Sequence, residues 1–281
     1  MKKINSEMIR RAVAHLCVEA NIKLRRDVCA ALNRAVKNET NARAKRLLKQ
    51  LLDNARIAQA DKVALCQDTG MPSVFVEIGR DVNTQGLNID QAIQKGIEDG
   101  YRKGFLRNSI VSDPLLRPQP PKFGPGVIHY DFGSHQGLKI TVLPKGFGCE
   151  NKTQLKMFTP TASLDEIKKF IISVVKESGP DACPPYILGV GIGGGADQAV
   201  LLAKKALLRP LDKSSSLAHV ARLEKELLKK INQTKIGPLG LSGATTALGI
   251  SVLAAPTHIA GLPVAVSISC HVLRSASVHF K

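Results

Sequence analysis

The stretch Cys183-Pro184-Pro185-Tyr186-Ile187-Leu188-Gly189-Val190-Gly191-Ile192-Gly193-Gly194 decides how this chain is read. A rigid Cys-Pro-Pro turn leads into an apolar strand over 186–192, and a glycine turn then opens a helix over 196–208. The glycines fit G-x-G-x-x-G, the spacing of a dinucleotide loop. Three features argue against that loop. The motif does not start a βαβ fold, a proline-rich cysteine turn precedes it closely, and no acidic residue ends a second strand about 20 residues later. The fold class read from the elements along the chain is α+β (mixed): a helical N-terminal layer packed on a body of short mixed β-sheets and helices. Gly193–Asp197 still offers backbone N–H groups at a helix start, where a carboxylate or a phosphate could bind.

Toward the N-terminus, residues 6–60 read as three amphipathic helices. Ile9, Val13, Leu16, Cys17 and Ala20 follow helical spacing. So do Leu24, Val28, Leu32 and Val36, and then Ala44, Leu47, Leu48, Leu51, Leu52 and Ala55. Cys17 and Cys29 fall on or beside these apolar faces and read as core. Ser73–Gly79 is a short β-type run, and 88–103 reads as a helix. Residues 127–132 and 138–143 are β-rich around Gly133 and Gly137, which suggests a hairpin. Ser163-Leu164-Asp165-Glu166 is a capping box whose helix ends at Gly179-Pro180. Leu217–Ile231 reads as a helix, Ala244–Leu253 as a small-residue helix, and Val264–Ser269 as a buried strand ending at Cys270. The proline-rich stretch 118–126 reads as a long loop, so 1–281 is taken as a single unit, helical to about 60, with the binding body at about 61–281.

The chain of 281 residues is long enough to bury a core without disulfide staples. No apolar run reaches a membrane span, and no secretory leader follows Met1, which points to a cytoplasmic protein without membrane association. Six cysteines then read as metal, catalytic or core residues. The net charge of +17 suits an acidic partner or anionic substrate. Three Tyr and no Trp supply little stacking surface for single strands, so nucleic acid is not expected.

Cys66, Cys183 and Cys270 stand far apart and form no C-x-x-C pair, so any shared centre must be assembled by the fold. Spacing alone leaves two readings open. One is a set of buried reduced thiols in a basic binding or scaffold protein. The other is a cubane iron–sulfur cluster with one iron left open, since thiolate is the soft ligand such centres prefer. Asp68, His258 and Arg107 would add an acid or base and a carboxylate clamp beside such a Lewis acid.

Five motifs carry a family resemblance: CQDTGMP at 66–72, KGFGCEN at 145–151, CPPYILGVGIGG at 183–194, GLSGATTALG at 240–249 and THIAGLPVAVSISCH at 257–271. Together they resemble the α subunit of class I, iron–sulfur fumarate hydratases, which is similar to the α subunit of L-tartrate dehydratase. The resemblance covers nearly the whole chain. It implies that Cys66, Cys183 and Cys270 hold a [4Fe–4S] cluster. It implies that Gln67, Asp68, Arg107, His258 and the turn Gly146–Gly148 contact a small dicarboxylate, with Asp68 or His258 relaying a proton. The implied reaction is reversible hydration of fumarate to L-malate, with dehydration of tartrate, or a mesaconate-type hydration, as the alternative. It also implies a separate β subunit, in an αβ or α2β2 assembly, that completes the active site. Two departures stand out. The family's Asn-Thr-Gly-Asp-Asn-like stretch is replaced by the proline-rich loop 118–126. Cys149 stands where KGxGSEN has serine, and it reads as a bland replacement because a fourth thiolate would close the open iron.

Overall fold

The computed structural model describes residues 4–117 and 119–281. Helices and strands alternate irregularly along the chain. In order they are α1 (Ser6–Ile22), α2 (Arg26–Asn38), α3 (Ala42–Asp61), β1 (Met71–Gly79), α4 (Ile89–Lys103), β2 (Val127–Gly133) and β3 (Leu138–Lys145). There follow α5 (Phe147–Glu150), β4 (Gln154–Phe158), α6 (Leu164–Ser178), β5 (Tyr186–Ile192), α7 (Ala196–Ala206) and α8 (Ala218–Asn232). The last strands are β6 (Ala247–Ala254), β7 (Leu262–Ser269) and β8 (Ala276–Phe280). The fold is α+β, as expected. Two compact units divide these elements. The first takes the described residues up to Leu24, Ala55–Phe147 and Arg274–Lys281; the second takes Arg25–Asn54 and Gly148–Leu273.

The first unit is built on a sheet of order β2-β1-β3-β8. The apolar stripe Ile9, Val13, Leu16 and Cys17 of α1 meets Ile93, Ile97 and Tyr101 of α4 in one core with Val74, Val76, Ile140 and Val142 of the sheet. Burial pushes the Cys17 thiol up to about 12, which suits an inert core residue. The expected hairpin of β2 with β3 does not form. β2 pairs parallel to β1, and β3 pairs antiparallel to β1, so β1 lies between them. The connecting turn instead bonds the end of β1: Gly79 N donates to Gly137 O at 2.9 Å and Arg80 N to His135 O at 3.2 Å. A Cβ at Gly79 would stand 2.5 Å from His135 O, so glycine permits this passage.

The second unit carries a sheet of order β4-β7-β5-β6. Alternation along β5 sends Tyr186, Leu188 and Val190 into a core with Ile171 and Val175 of α6 and Leu223 and Leu227 of α8. The opposite face receives α7, whose Ala199 and Ala203 pack on Ala265 of β7. Cβ atoms at Gly189 and Gly191 would each meet an α7 carbonyl at 2.0 Å. These two glycines of the G-x-G-x-x-G pattern therefore serve close helix–strand packing. The expected capping box forms: Ser163 Oγ accepts from Glu166 N at 3.2 Å, and Ser163 N donates to Glu166 Oε2 at 2.7 Å. The expected helix over 244–253 is instead β6, paired parallel to β5. A short apolar run of small residues has no period that separates the two states. β4 and β8 were not anticipated. No helix among the described residues is long and apolar enough to cross a membrane.

Candidate active site

One end of the first unit's sheet gathers most of the residues singled out by sequence. Met71 of β1 lies opposite Lys145 of β3, so Cys66–Gly70 and Gly146–Phe147 leave the sheet side by side. The approach is tight. Gly70 has φ +74, and a Cβ there would stand 2.8 Å from the Lys145 backbone. L side chains rarely adopt that φ, so both torsion and space call for glycine. A Cβ at Gly146 would stand 2.9 Å from Asp68 Oδ2.

The Asp68 carboxylate is fixed by backbone donors. Oδ1 accepts from Gly70 N at 2.9 Å and Oδ2 from Phe147 N at 2.8 Å. An ionised carboxylate has about four lone-pair sites, so acceptor capacity remains for a substrate hydroxyl or a proton. Thr69 ties in the next segment: its Oγ1 accepts from Arg107 N at 3.0 Å, and the Arg107 side chain is exposed. Gln67 is exposed beside the half-buried Cys66. Gln67, Asp68, Arg107 and Gly146 thus share one end of the sheet.

The proline-rich stretch arrives at that same end. Pro118 lies outside the described residues. Beyond it, Lys122 bridges antiparallel to Ile110, and Asn108 Nδ2 donates to Pro121 O at 3.0 Å. Gln94 holds Gly126 through both its N–H and its carbonyl, at 2.9 and 3.0 Å. The departure from the family pattern is therefore hydrogen-bonded to the segment that follows Arg107.

The second unit brings Cys183 and Cys270 to one end of its own sheet. Ile187 of β5 pairs with Ser269 of antiparallel β7, so the turn before β5 and the residue after β7 coincide. His271 joins them: its Nδ1–H donates to Cys183 O at 3.1 Å. Burial lowers the His271 pKa below the ordinary imidazole value, while this hydrogen bond acts in the opposite sense. Cys183 is exposed and has φ +54, and the Pro184-Pro185 bond that follows it is cis. Cys270 is half-buried, and its Sγ accepts from Val272 N at 3.4 Å. Cys149 is buried in the main core and donates to Ala182 O at 3.5 Å, next to Cys183. Gly148 is exposed on the short helix α5.

His258 is not brought to these cysteines within its unit. It lies in the turn joining β6 to β7, which Gly194 N ties to the far end of β5 through Pro256 O at 3.0 Å. Five residues of strand, about 17 Å, separate that end from the Ile187–Ser269 row. His258 is exposed there, and its Nδ1 accepts from Ala260 N at 3.1 Å.

Thiolate donors on loops and strand ends suit a soft iron–sulfur centre, and the helix-borne Cys17 and Cys29 do not share that placement. No group of three or more His, Cys, Asp or Glu side chains among the described residues is gathered as a metal-ion site. Sequence reasoning gave no role to Tyr101, His271 or Arg274, which hold these loops. Only their proximity in sequence to the motifs could have marked the last two.

Comparison with known proteins places the chain among hydro-lyases. A family model described as Fumarate hydratase (Fumerase) matches residues 10–279, so the chain belongs to the fumarate hydratase family. A Methanocaldococcus jannaschii protein named "Putative L(+)-tartrate dehydratase subunit alpha" is 39% identical over 276 residues, covering 96% of each chain. The "L(+)-tartrate dehydratase subunit alpha" of Escherichia coli is 27% identical over 261 residues, covering 92% of this chain and 86% of its own. A Geobacillus stearothermophilus protein named "Putative fumarate hydratase class I" is 28% identical over 285 residues. That match takes in 97% of this chain and 55% of the longer relative.

Proposed function

We propose that this chain is the α subunit of a two-subunit iron–sulfur hydro-lyase that reversibly hydrates fumarate to L-malate. The observation that carries the reading is the fixed Asp68 carboxylate beside Arg107, at the one end of the sheet where Cys66 also lies. In this reading Cys66, Cys183 and Cys270 hold a [4Fe–4S] cluster, which supplies Lewis acidity toward a substrate oxygen when bound. Arg107 clamps a substrate carboxylate with its planar guanidinium, and Gln67 and the backbone at Gly146 and Gly148 add polar contacts. Asp68 relays the proton of the substrate hydroxyl through its remaining lone pairs. His258, exposed in the turn joining β6 to β7, is the alternative proton relay. Cys149 takes no part as a ligand, in keeping with its buried place and its bond to Ala182.

A separate β subunit fits the names of two relatives as α subunits. It would supply the base that takes the carbon-bound proton. The assembly is αβ or α2β2 and the setting cytoplasmic, with neither nucleic acid nor membrane as partner. Tartrate dehydration is the second reading, favoured by the relative that matches over nearly its full length. The loop 119–126 is bonded to the segment after Arg107, which supports a part for it in this choice.

The test is reconstitution with iron and sulfide under anaerobic conditions, followed by assays of the chain with and without a β subunit. Fumarate, L-malate, L(+)-tartrate and mesaconate serve as substrates. Iron-dependent turnover only with the β subunit is expected. Colourless, iron-free protein after reconstitution would sink the proposal, and preferred turnover of tartrate would select the second reading.

A further inference from the structure

Arg274 follows Cys270-His271 by three residues, and its side chain is only 3% exposed. Its guanidinium donates to two main-chain carbonyls of the first unit. Nε reaches Pro144 O at 3.4 Å, near the end of β3, and Nη2 makes a short bond to Asp68 O. Nη1 is buried without a partner. No carboxylate forms an ion pair with this cation among the described residues.

A buried guanidinium satisfied only by neutral carbonyls is costly to keep. Folding stability alone would favour an apolar side chain of similar size at this place. What the cation holds is more specific. Its two carbonyls belong to the segments that carry Asp68 and lead to Gly146. Tyr101 completes the clamp, its hydroxyl lying 2.9 Å from both Thr69 O and Gly70 O. Consecutive carbonyls of Asp68, Thr69 and Gly70 are thus all bound from the buried side. The Asp68 carboxylate is left to the backbone donors of Gly70 and Phe147.

We propose that Arg274 is a positioning residue: it fixes the Cys66–Gly70 loop through the Asp68 carbonyl and ties that loop to the end of β3 at Pro144. The inference rests on the proposed hydro-lyase reading and deepens it. Arg274 touches no reacting atom; it acts by where it holds Asp68 and Cys66.

The test uses the reconstituted chain with its β subunit and two variants, Arg274→Lys and Arg274→Met. Activity is normalised to bound cluster, and hydrogen exchange is followed in the peptide spanning 64–72. Arg274→Met is expected to speed exchange in that peptide while the strands β5 and β7 keep their protection. Its kcat per cluster should fall about 30- to 100-fold, as misplacement of reacting groups does, with KM changed less than about threefold. Arg274→Lys, which keeps the charge but not the fork, should recover part of kcat. If Arg274→Met does not fold, the lysine variant carries the test through the same kcat-against-KM split. A loss of activity that tracks only folded fraction or iron content, with kcat per cluster unchanged, overturns the proposal and leaves Arg274 a structural residue. An inactive wild-type protein sinks the hydro-lyase reading instead. In that case unchanged exchange at 64–72 in Arg274→Met overturns the placement as well.

Discussion

The two cysteine-bearing sheet ends are built in different ways. In the first unit the Cys66–Gly70 loop is held by side chains from distant segments, Arg274 on Asp68 O and Tyr101 on Thr69 O and Gly70 O, and the loop's own Thr69 hydroxyl accepts from Arg107 N. In the second unit, strand register brings Cys183 and Cys270 to one end, where the His271 ring bonds Cys183 O. One site is specified by polar side-chain contacts, the other by backbone topology. Substitutions should therefore act locally in the first unit and through the whole sheet in the second.

The largest effect tests what the two ends are proposed to share. Cys66→Ser and Cys183→Ser should each cost cluster iron and lower turnover about 10³-fold, the scale of losing a Lewis acid worth several kcal/mol. Iron and sulfide analysis with steady-state assays checks this, and full iron retention in Cys66→Ser would break the pairing of the two ends. Next comes Gly191→Ala. Its Cβ would meet Ala199 O at 2.0 Å, forcing α7 off β5. A loss of about 3 kcal/mol is expected in urea unfolding, at the upper end of overpacking costs. An unchanged midpoint would show that the second unit tolerates local change after all.

Tyr101→Phe should be milder and confined to the first unit. Burial holds the Tyr101 pKa above its ordinary value, so the hydroxyl remains a donor, and its removal leaves two buried carbonyls short of a partner. About 1–2 kcal/mol is expected, with faster exchange at 64–72 and none of the change at β5. The smallest effect is Ser163→Ala, which removes the helix cap of α6 and should cost about 1 kcal/mol without altering turnover. Its pH dependence has a definite sign. The Ser163 N–H, and then its hydroxyl, hold the Glu166 carboxyl below its usual value. The cap's contribution is present above the ordinary carboxylate pKa and is lost as pH falls through the folded value. The gap between wild type and Ser163→Ala should therefore narrow in acid; a constant gap would count against the box.

Helices were legible because their apolar spacing survives folding. The stripe of α1, the Asn88 start of α4 and the Ser163 box all stand where the residues put them. Strand pairing was less so. The residues around Gly133 and Gly137 look like a hairpin turn, yet the main chain at Gly79 and Arg80 takes the bonds a hairpin would use. Nothing within 127–143 records that β1 intrudes. The site divides along similar lines. Cysteines, Asp68 and Arg107 announce themselves by type and motif. Tyr101 and Arg274 act on carbonyl oxygens, which every residue has, so no residue pattern in the loop they hold points back to them.

Arg274 reaches a carbonyl that lies 206 positions earlier in the chain. At roughly 5 to 20 residues per second of synthesis, the loop at Asp68 emerges some 10 to 40 seconds before its clamp exists. The helices that precede β7 can form in that interval, whereas β7, β8 and the Arg274 bond to Asp68 cannot. A ribosome-bound chain therefore carries Cys66 on a loop that Tyr101 can already hold but Arg274 cannot, so the full clamp is one of the last features the newborn polypeptide acquires.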